Sequence, residues 1–266
     1  MKRKSKTVET NFKIATIFIV VILFFIFISF LLKLILLFQN SKFDGEHRFT
    51  VSVIKENDTK VLSFSPQNKT ISLLSIKGEV ENIDSFLKIP IDASIESKKL
   101  SFSSNNIAIG FLKTMLGLNG RYSGITSIDL LRLSYFARSL PLTSVYEKKV
   151  SNTDDELKRS SVLYSFFTDQ EILNEKKRVQ VINGTDVSGV GGKLASVVNN
   201  MGGDVVLVLS ADKEEENSKI IYFGEKSYTV KRLSSVLNYP VEKAREKSIA
   251  DVIIVIGKDK IAEFKY

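Results

Sequence analysis

The sequence predicts an α+β protein: an N-terminal single transmembrane helix, then a β-meander plus helices module, then a small βαββαβ two-layer sandwich. Three observations predict it. Residues Ile14–Phe38 form one apolar run behind a basic tail. Between residues 49 and 76, short stretches of alternating apolar and polar residues are separated by turn residues. From Arg178 onward, strand and helix patterns follow one another in a regular order. The chain divides into a basic cytoplasmic tail (1–13), the span (14–38), an extracytoplasmic α/β module (43–175) and a C-terminal domain (176–266).

The span comes first. Ile14–Leu32 carries no charge, and Lys33 is the single charged residue before Phe38. At a rise of about 1.5 Å per residue, a helix of this length exceeds the roughly 30 Å hydrocarbon core of a bilayer. Lys33 lies near its far end, where an ammonium can reach the headgroups. Lys2, Arg3, Lys4, Lys6 and Lys13 precede the run, opposed by Glu9. The positive-inside rule then places the N-terminus in the cytoplasm and the chain after about Gln39 outside the cell membrane. The run is longer than the apolar region of a signal peptide, and no small-x-small site follows it. The expectation is an uncleaved anchor, with the lipid bilayer as its partner.

Composition excludes several classes. Of the formal charge of +8, the tail contributes four and Lys33 and Lys42 one each, which leaves +2 for residues 43–266. Such a balance gives no electrostatic footprint for nucleic acid, which is not expected as a partner. The chain has no cysteine, which excludes disulfides, thiolate metal sites and cysteine nucleophiles. The one histidine, His47, opens a strand and reads as an ordinary exposed residue.

Within 43–175, Phe49–Ile54, Lys60–Phe64 and Thr70–Ile76 read as strands, with turns at Asn57–Asp58 and Pro66–Asn68. A polar stretch interrupted by Pro90 follows. Asn105–Leu116 carries apolar residues at helical spacing and ends at Gly117. Ser127–Leu140 is a helix with Ser127 as its N-cap and Pro141 as its stop. Thr153–Glu156 opens a third helix, whose acid run suits a helix start better than a metal site. Thr168 or Asp169 begins a helical turn through Leu173.

In the C-terminal part, Val179–Ile182 is a strand, and Asn183–Thr185 a turn. Ser188 caps a helix that buries Val190, Leu194, Val197, Val198 and Met201. Asp204–Leu209 and Ile220–Phe223 are strands, and Thr229 caps a second helix. After Pro240 a charged linker leads to a final strand, Asp251–Ile256, with both helices on one face of a four-stranded sheet. Asn183, Gly184, Thr185 and Gly189 are the candidate binding residues, because a strand–turn–helix start offers free amides to an anion. The spacing departs from both phosphate-loop patterns, at Val187 and Leu194. Tight turning and close helix–sheet packing are the competing explanation of these glycines.

The segments RVQVINGTDVSGVGGKLASVVNNMGGDVVLV, KIIYFG, TVKRLSSVLNYP and DVIIVIGKD, in this order, resemble the C-terminal domain of LytR–CpsA–Psr family proteins. Phe167–Ile172 resembles the F-x-D-x-x-I lead-in to that domain. VLSFSPQNKTISLLSI is similar to paired strands of the family's catalytic domain, so 43–175 reads as a shortened, degenerate relative. The resemblance implies a cell-envelope protein. The family transfers glycopolymers from prenyl pyrophosphate carriers to the wall, using arginines and aspartates around a divalent ion. Its Arg-Asp pair follows the equivalent of Ser75-Ile76, where this chain has Lys77-Gly78-Glu79. A lysine is a point charge without the guanidinium fork that suits phosphate. The expectation is therefore a non-catalytic binding or adaptor protein, without cofactor or metal, whose partner is a cell-wall polymer or an envelope protein. The alternative is an active glycopolymer phosphotransferase, in which Lys77, Glu79 and Arg121 would act with Mg²⁺.

Overall fold

The computed structural model describes residues 3–55, 58–78, 83–97, 102–118, 120–151, 153–245 and 248–264. Helix α1 (Arg3–Gln39) is continuous, and the most apolar 18-residue stretch within Ala15–Gln39 has a mean hydropathy of 3.1, with none of it buried. A helix of this length and exposure suits a single-pass anchor.

The predicted meander is present as β1 (Phe49–Lys55), β2 (Asp58–Ser65) and β3 (Thr70–Lys77), paired antiparallel. Three further strands extend it. β4 (Ala93–Ser97) runs parallel to β1, β5 (Gly120–Ser123) pairs antiparallel with β4, and β6 (Val145–Ser151) runs parallel to β3. The order across the sheet is β5-β4-β1-β2-β3-β6. The sequence reading contains none of these three, for physical reasons. β4 is polar and follows Pro90, β5 is four residues long, and β6 exposes Tyr146 through Lys149 at the sheet edge.

Both faces of this sheet are covered. Helices α3 (Ile107–Met115) and α4 (Ser127–Ser139) pack on Val51, Val53, Leu62, Phe64, Ile71 and Leu73. Helices α2 (Ile83–Leu87) and α5 (Glu156–Phe167) pack on Val61, Leu74, Ile76 and Val150. Burial on both faces explains the nearly unbroken buried runs of β2 and β3. The N-cap of α4 is Thr126, one residue before the predicted Ser127. Thr126 Oγ1 accepts from Asp129 N, and Asp129 Oδ2 accepts from Thr126 N, a reciprocal capping box. Asp129 Oδ1 also accepts from Ser41 Oγ at 2.6 Å and Phe43 N at 2.9 Å, which ties the exit of α1 to α4.

Helix α6 (Gln170–Glu175), capped by Asp169, leads into the C-terminal sheet. Its strands are β7 (Arg178–Asn183), β8 (Asp204–Ser210), β9 (Lys219–Tyr222), β10 (Val241–Lys243) and β11 (Val252–Ile256), in the order β10-β9-β11-β7-β8. The predicted βαββαβ order holds. The addition is β10, within the residues read as a linker; at three residues it is too short to show alternation. Helices α7 (Val190–Asn200) and α8 (Tyr228–Leu237) close one core with Val179, Val181, Ile220, Val252, Ile254 and Ile256. Ile172 joins this core, so α6 packs with the C-terminal unit. Two caps differ from expectation. α7 starts at Gly189, whose φ of 82° turns the chain, and α8 is capped by Ser227. β8 is an edge strand with Val206, Val208 and Leu209 exposed.

Candidate functional site

The sequence candidates do not converge. Lys77 is exposed at the end of β3, and Arg121 is exposed on β5. Strands β2, β1 and β4 lie between them, a separation of about 19 Å at roughly 4.8 Å per strand. Glu79 lies outside the described residues. The Asn183 turn is engaged with itself. Asn183 Oδ1 accepts from Thr185 N at 3.1 Å and Thr185 Oγ1 at 2.7 Å, while Nδ2 donates to Val187 O at 2.9 Å. Gly184 N donates to Ile256 O at 2.9 Å, and a Cβ on Gly184 would lie 2.8 Å from that oxygen. Gly191 lets α7 approach β8: a Cβ there would lie 3.0 Å from Val208 Cγ1. Gly192 meets nothing within 4 Å. Asn183, Gly184 and Thr185 hold the turn together through these bonds, and Gly189, exposed, opens α7.

A different set of residues converges between the two modules. A cleft of about 1160 Å³ is lined on one side by Lys42, Asp44, His47, Arg48, Phe49 and Lys88–Asp92, and on the other by residues of α6, α7 and α8 with Asn238 and Ala262. Its floor is an ion pair across the modules. Arg232 Nη1 and Nη2 each lie 3.2 Å from a carboxylate oxygen of Asp92, and both side chains are nearly buried at 11% and 12% exposure. Asp92 Oδ2 also accepts from Thr50 N at 2.8 Å, which holds the carboxylate at the start of β4. Beside it, Arg48 Nη1 donates to Ser63 Oγ and Phe166 O, both at 2.8 Å. The Nε atoms of Arg48 and Arg232 are buried without a hydrogen-bond partner among the described residues.

Burial, opposed by the Asp169 carboxylate and aided by the neighbouring Arg232 charge, brings the Arg48 guanidinium down to about 10. It remains cationic at neutral pH. For Arg232 burial also disfavours the charge, but Asp92 outweighs it and holds the group above its ordinary value. Tyr228 forms the wall. Its hydroxyl donates to Asp169 Oδ2 at 2.7 Å, and burial together with that carboxylate raises its pKa, so it stays a neutral phenol. The His47 ring stacks on Tyr228 with centroids 4.8 Å apart and bonds Asp44 through Nδ1, so it is not the ordinary exposed residue expected. Glu175 accepts from Tyr228 N at 2.9 Å and from Thr229 N and Oγ1 at 2.8 and 2.6 Å, fixing the first turn of α8.

The lining carries the cations Lys42, Arg48, Lys88, Lys193, Lys231 and Arg232 against the carboxylates Asp44, Asp92 and Glu171. Apolar wall comes from Phe49, Ile89, Ile91, Leu194, Val197 and Val236. The arrangement suits an anion attached to a partly apolar or sugar-like body. Among the described residues no group of three or more histidines or carboxylates gathers to hold a metal. Sequence reasoning passed over Arg48, Asp92 and Arg232 because Arg232 and Asp92 stand 140 positions apart. The available signal was slight: an Asp just after Pro90, and an Arg beside Leu233 on the helix that buries Val230.

Residues 176–259 match the family described as LytR cell envelope-related transcriptional attenuator. The match falls on the C-terminal unit and includes α7, α8 and Arg232; it supports a cell-envelope protein. No curated protein matches the chain. Among solved structures, a crystal structure of B. subtilis TagT is 14% identical, covering 85% of this chain and 91% of that one at a TM-score of 0.19. The X-ray structure of the Lin1025 protein from Listeria innocua is 10% identical over 82% and 95% of the two chains, also at 0.19. B. subtilis TagU is 8% identical over 82% and 94%, again at 0.19. At these TM-scores none of the three supports an inference about fold or activity.

Proposed function

We propose that the chain is a membrane-anchored, extracytoplasmic cell-envelope protein that binds an anionic wall polymer in the cleft between its modules and does not itself transfer it. The observation that carries this reading is the charge of one cleft, whose cations Lys42, Arg48, Lys88, Lys193, Lys231 and Arg232 outnumber its carboxylates Asp44, Asp92 and Glu171. Guanidinium groups held by the fold suit phosphate or carboxylate without catalytic machinery. The LytR_C match and the long apolar helix support the envelope setting.

The test is titration of the full chain in detergent with glycerol-phosphate oligomers and with an uncharged wall oligosaccharide. Saturable binding of the phosphate oligomer, weakening as salt rises, is expected. Lys193→Gln and Lys231→Gln should each weaken it by about 0.5–1 kcal/mol. Equal binding of the uncharged oligosaccharide would refute the reading. Turnover of a prenyl pyrophosphate analogue with Mg²⁺ would instead favour the phosphotransferase, a reading that the separation of Lys77 from Arg121 does not support.

A further inference from the structure

We propose that the outer face of α4 is a membrane-docking surface, which lies on the outer leaflet of the bilayer that α1 enters. The proposal rests on the membrane-anchored reading of α1. Three observations lead to it. The first is placement: Arg132 sits over the Phe38 ring at 5.7 Å, and its Nη1 donates to Ser41 Oγ and Phe43 O, both at 2.9 Å. Asp129 binds the same exit segment from the neighbouring turn. Helix α4 is thus fastened to the last residues of the apolar helix, at the depth where lipid headgroups would begin.

The second observation is the exposed stripe beside that attachment. Leu131 is 50% exposed and Tyr135 76% exposed, one turn apart on the side of α4 away from its core. Leu142, just past the helix, is 62% exposed, and Arg138 continues the stripe. A leucine, a tyrosine and flanking arginines on one helix face form the pattern of an interfacial helix. The apolar groups enter the acyl boundary and the guanidinium groups stay among phosphates.

The third observation is charge. Residues 97–146 hold six basic residues and a single acid, Asp129. Asp129 is fully buried, so α4 shows no carboxylate to an anionic leaflet. That stretch sums to +5 and the rest of residues 43–266 to −3, so the positive bias is confined to it and complements anionic lipid.

The chain contains no tryptophan, so one introduced indole reports its own surroundings alone. Full-length Tyr135→Trp, Phe24→Trp and Val206→Trp variants would be reconstituted in phosphatidylethanolamine–phosphatidylglycerol vesicles with headgroup-labelled or deep-acyl nitroxide lipid. The Tyr135→Trp protein should shift to the blue and lose most of its emission to the headgroup quencher. Phe24→Trp should be quenched by the deep label, and Val206→Trp, on the edge strand of the C-terminal sheet, by neither. Unquenched emission from Tyr135→Trp, with Phe24→Trp quenched, would overturn the docking surface and leave the anchor standing. Unquenched emission from Phe24→Trp would overturn the anchor and the docking surface together.

Discussion

The ion pair on the cleft floor makes a quantitative prediction about how the modules hold together. Asp92→Ala removes the carboxylate that receives both Nη atoms of Arg232 and the Thr50 amide. Arg232 is left cationic at 11% exposure, with its Nε already unpaired. Removing one partner of a buried charge pair destabilises by about 3–5 kcal/mol, mostly through the charge left behind. An exposed pair would give roughly 0.2–1 kcal/mol. Arg232→Met should cost less than Asp92→Ala, because Asp92 keeps its bond from the Thr50 amide when its partner is removed. The double variant should lie well below the sum of the two, with a coupling of about 1–3 kcal/mol. Urea unfolding of the full chain in detergent, followed by circular dichroism, measures the cycle. Since two modules need not unfold together, each transition is fitted separately. Single-variant losses under about 1 kcal/mol with additive effects would show that the pair is screened as a surface contact is, and would refute the buried floor.

Three further predictions concern the exit from α1, the first turn of α8 and the chain just past β11. Asp129→Ala removes acceptors for Ser41, Phe43 and Thr126 and should destabilise the N-terminal module by about 2–3 kcal/mol, with faster amide exchange at residues 41–43. Burial disfavours the Glu175 charge, but hydrogen bonds from Thr229 and Tyr228 outweigh it and hold its pKa below the ordinary 4.5. Its stabilisation is therefore complete above 4.5 and is lost as pH falls through the lower folded value; Glu175→Gln should flatten that part of the stability–pH curve. A Cβ on Gly257 would lie 2.5 Å from Asn217 C and 2.7 Å from Ser218 N, so Gly257→Ala should lower stability by about 1–3 kcal/mol in thermal unfolding.

The elements legible in the sequence are those whose burial follows a simple period. Strands β1–β3 and β7, β8, β9 and β11, and the apolar stripes of α3, α4 and α7, were all visible in this way. The elements that escaped are stabilised by neighbours rather than by pattern: β4 is polar and β6 charged, and β10 is three residues long. The caps of α4, α7 and α8 shifted by one or two residues because adjacent Ser, Thr and Gly offered competing starts. The site was harder to read. The Asn183 turn is legible as a local motif, and in the fold Gly184 and Gly191 sit where the backbone or a neighbouring side chain approaches closely. The cleft is built from Arg48, Asp92 and Arg232, brought together by long-range packing that no short window records.

The nine positions from Gln39 to Arg48 act as a ruler. Fully extended, that stretch reaches about 30 Å, and its attachment to α4 through Ser41 and Phe43 shortens it. On the anchored reading, Arg48 cannot stand further than that above the bilayer surface. Anything bound in the cleft would be held in the lowest layer of the envelope, next to the lipids. A polymer still joined to its lipid carrier would reach that height, whereas chains already attached to the outer wall would have to come down to it.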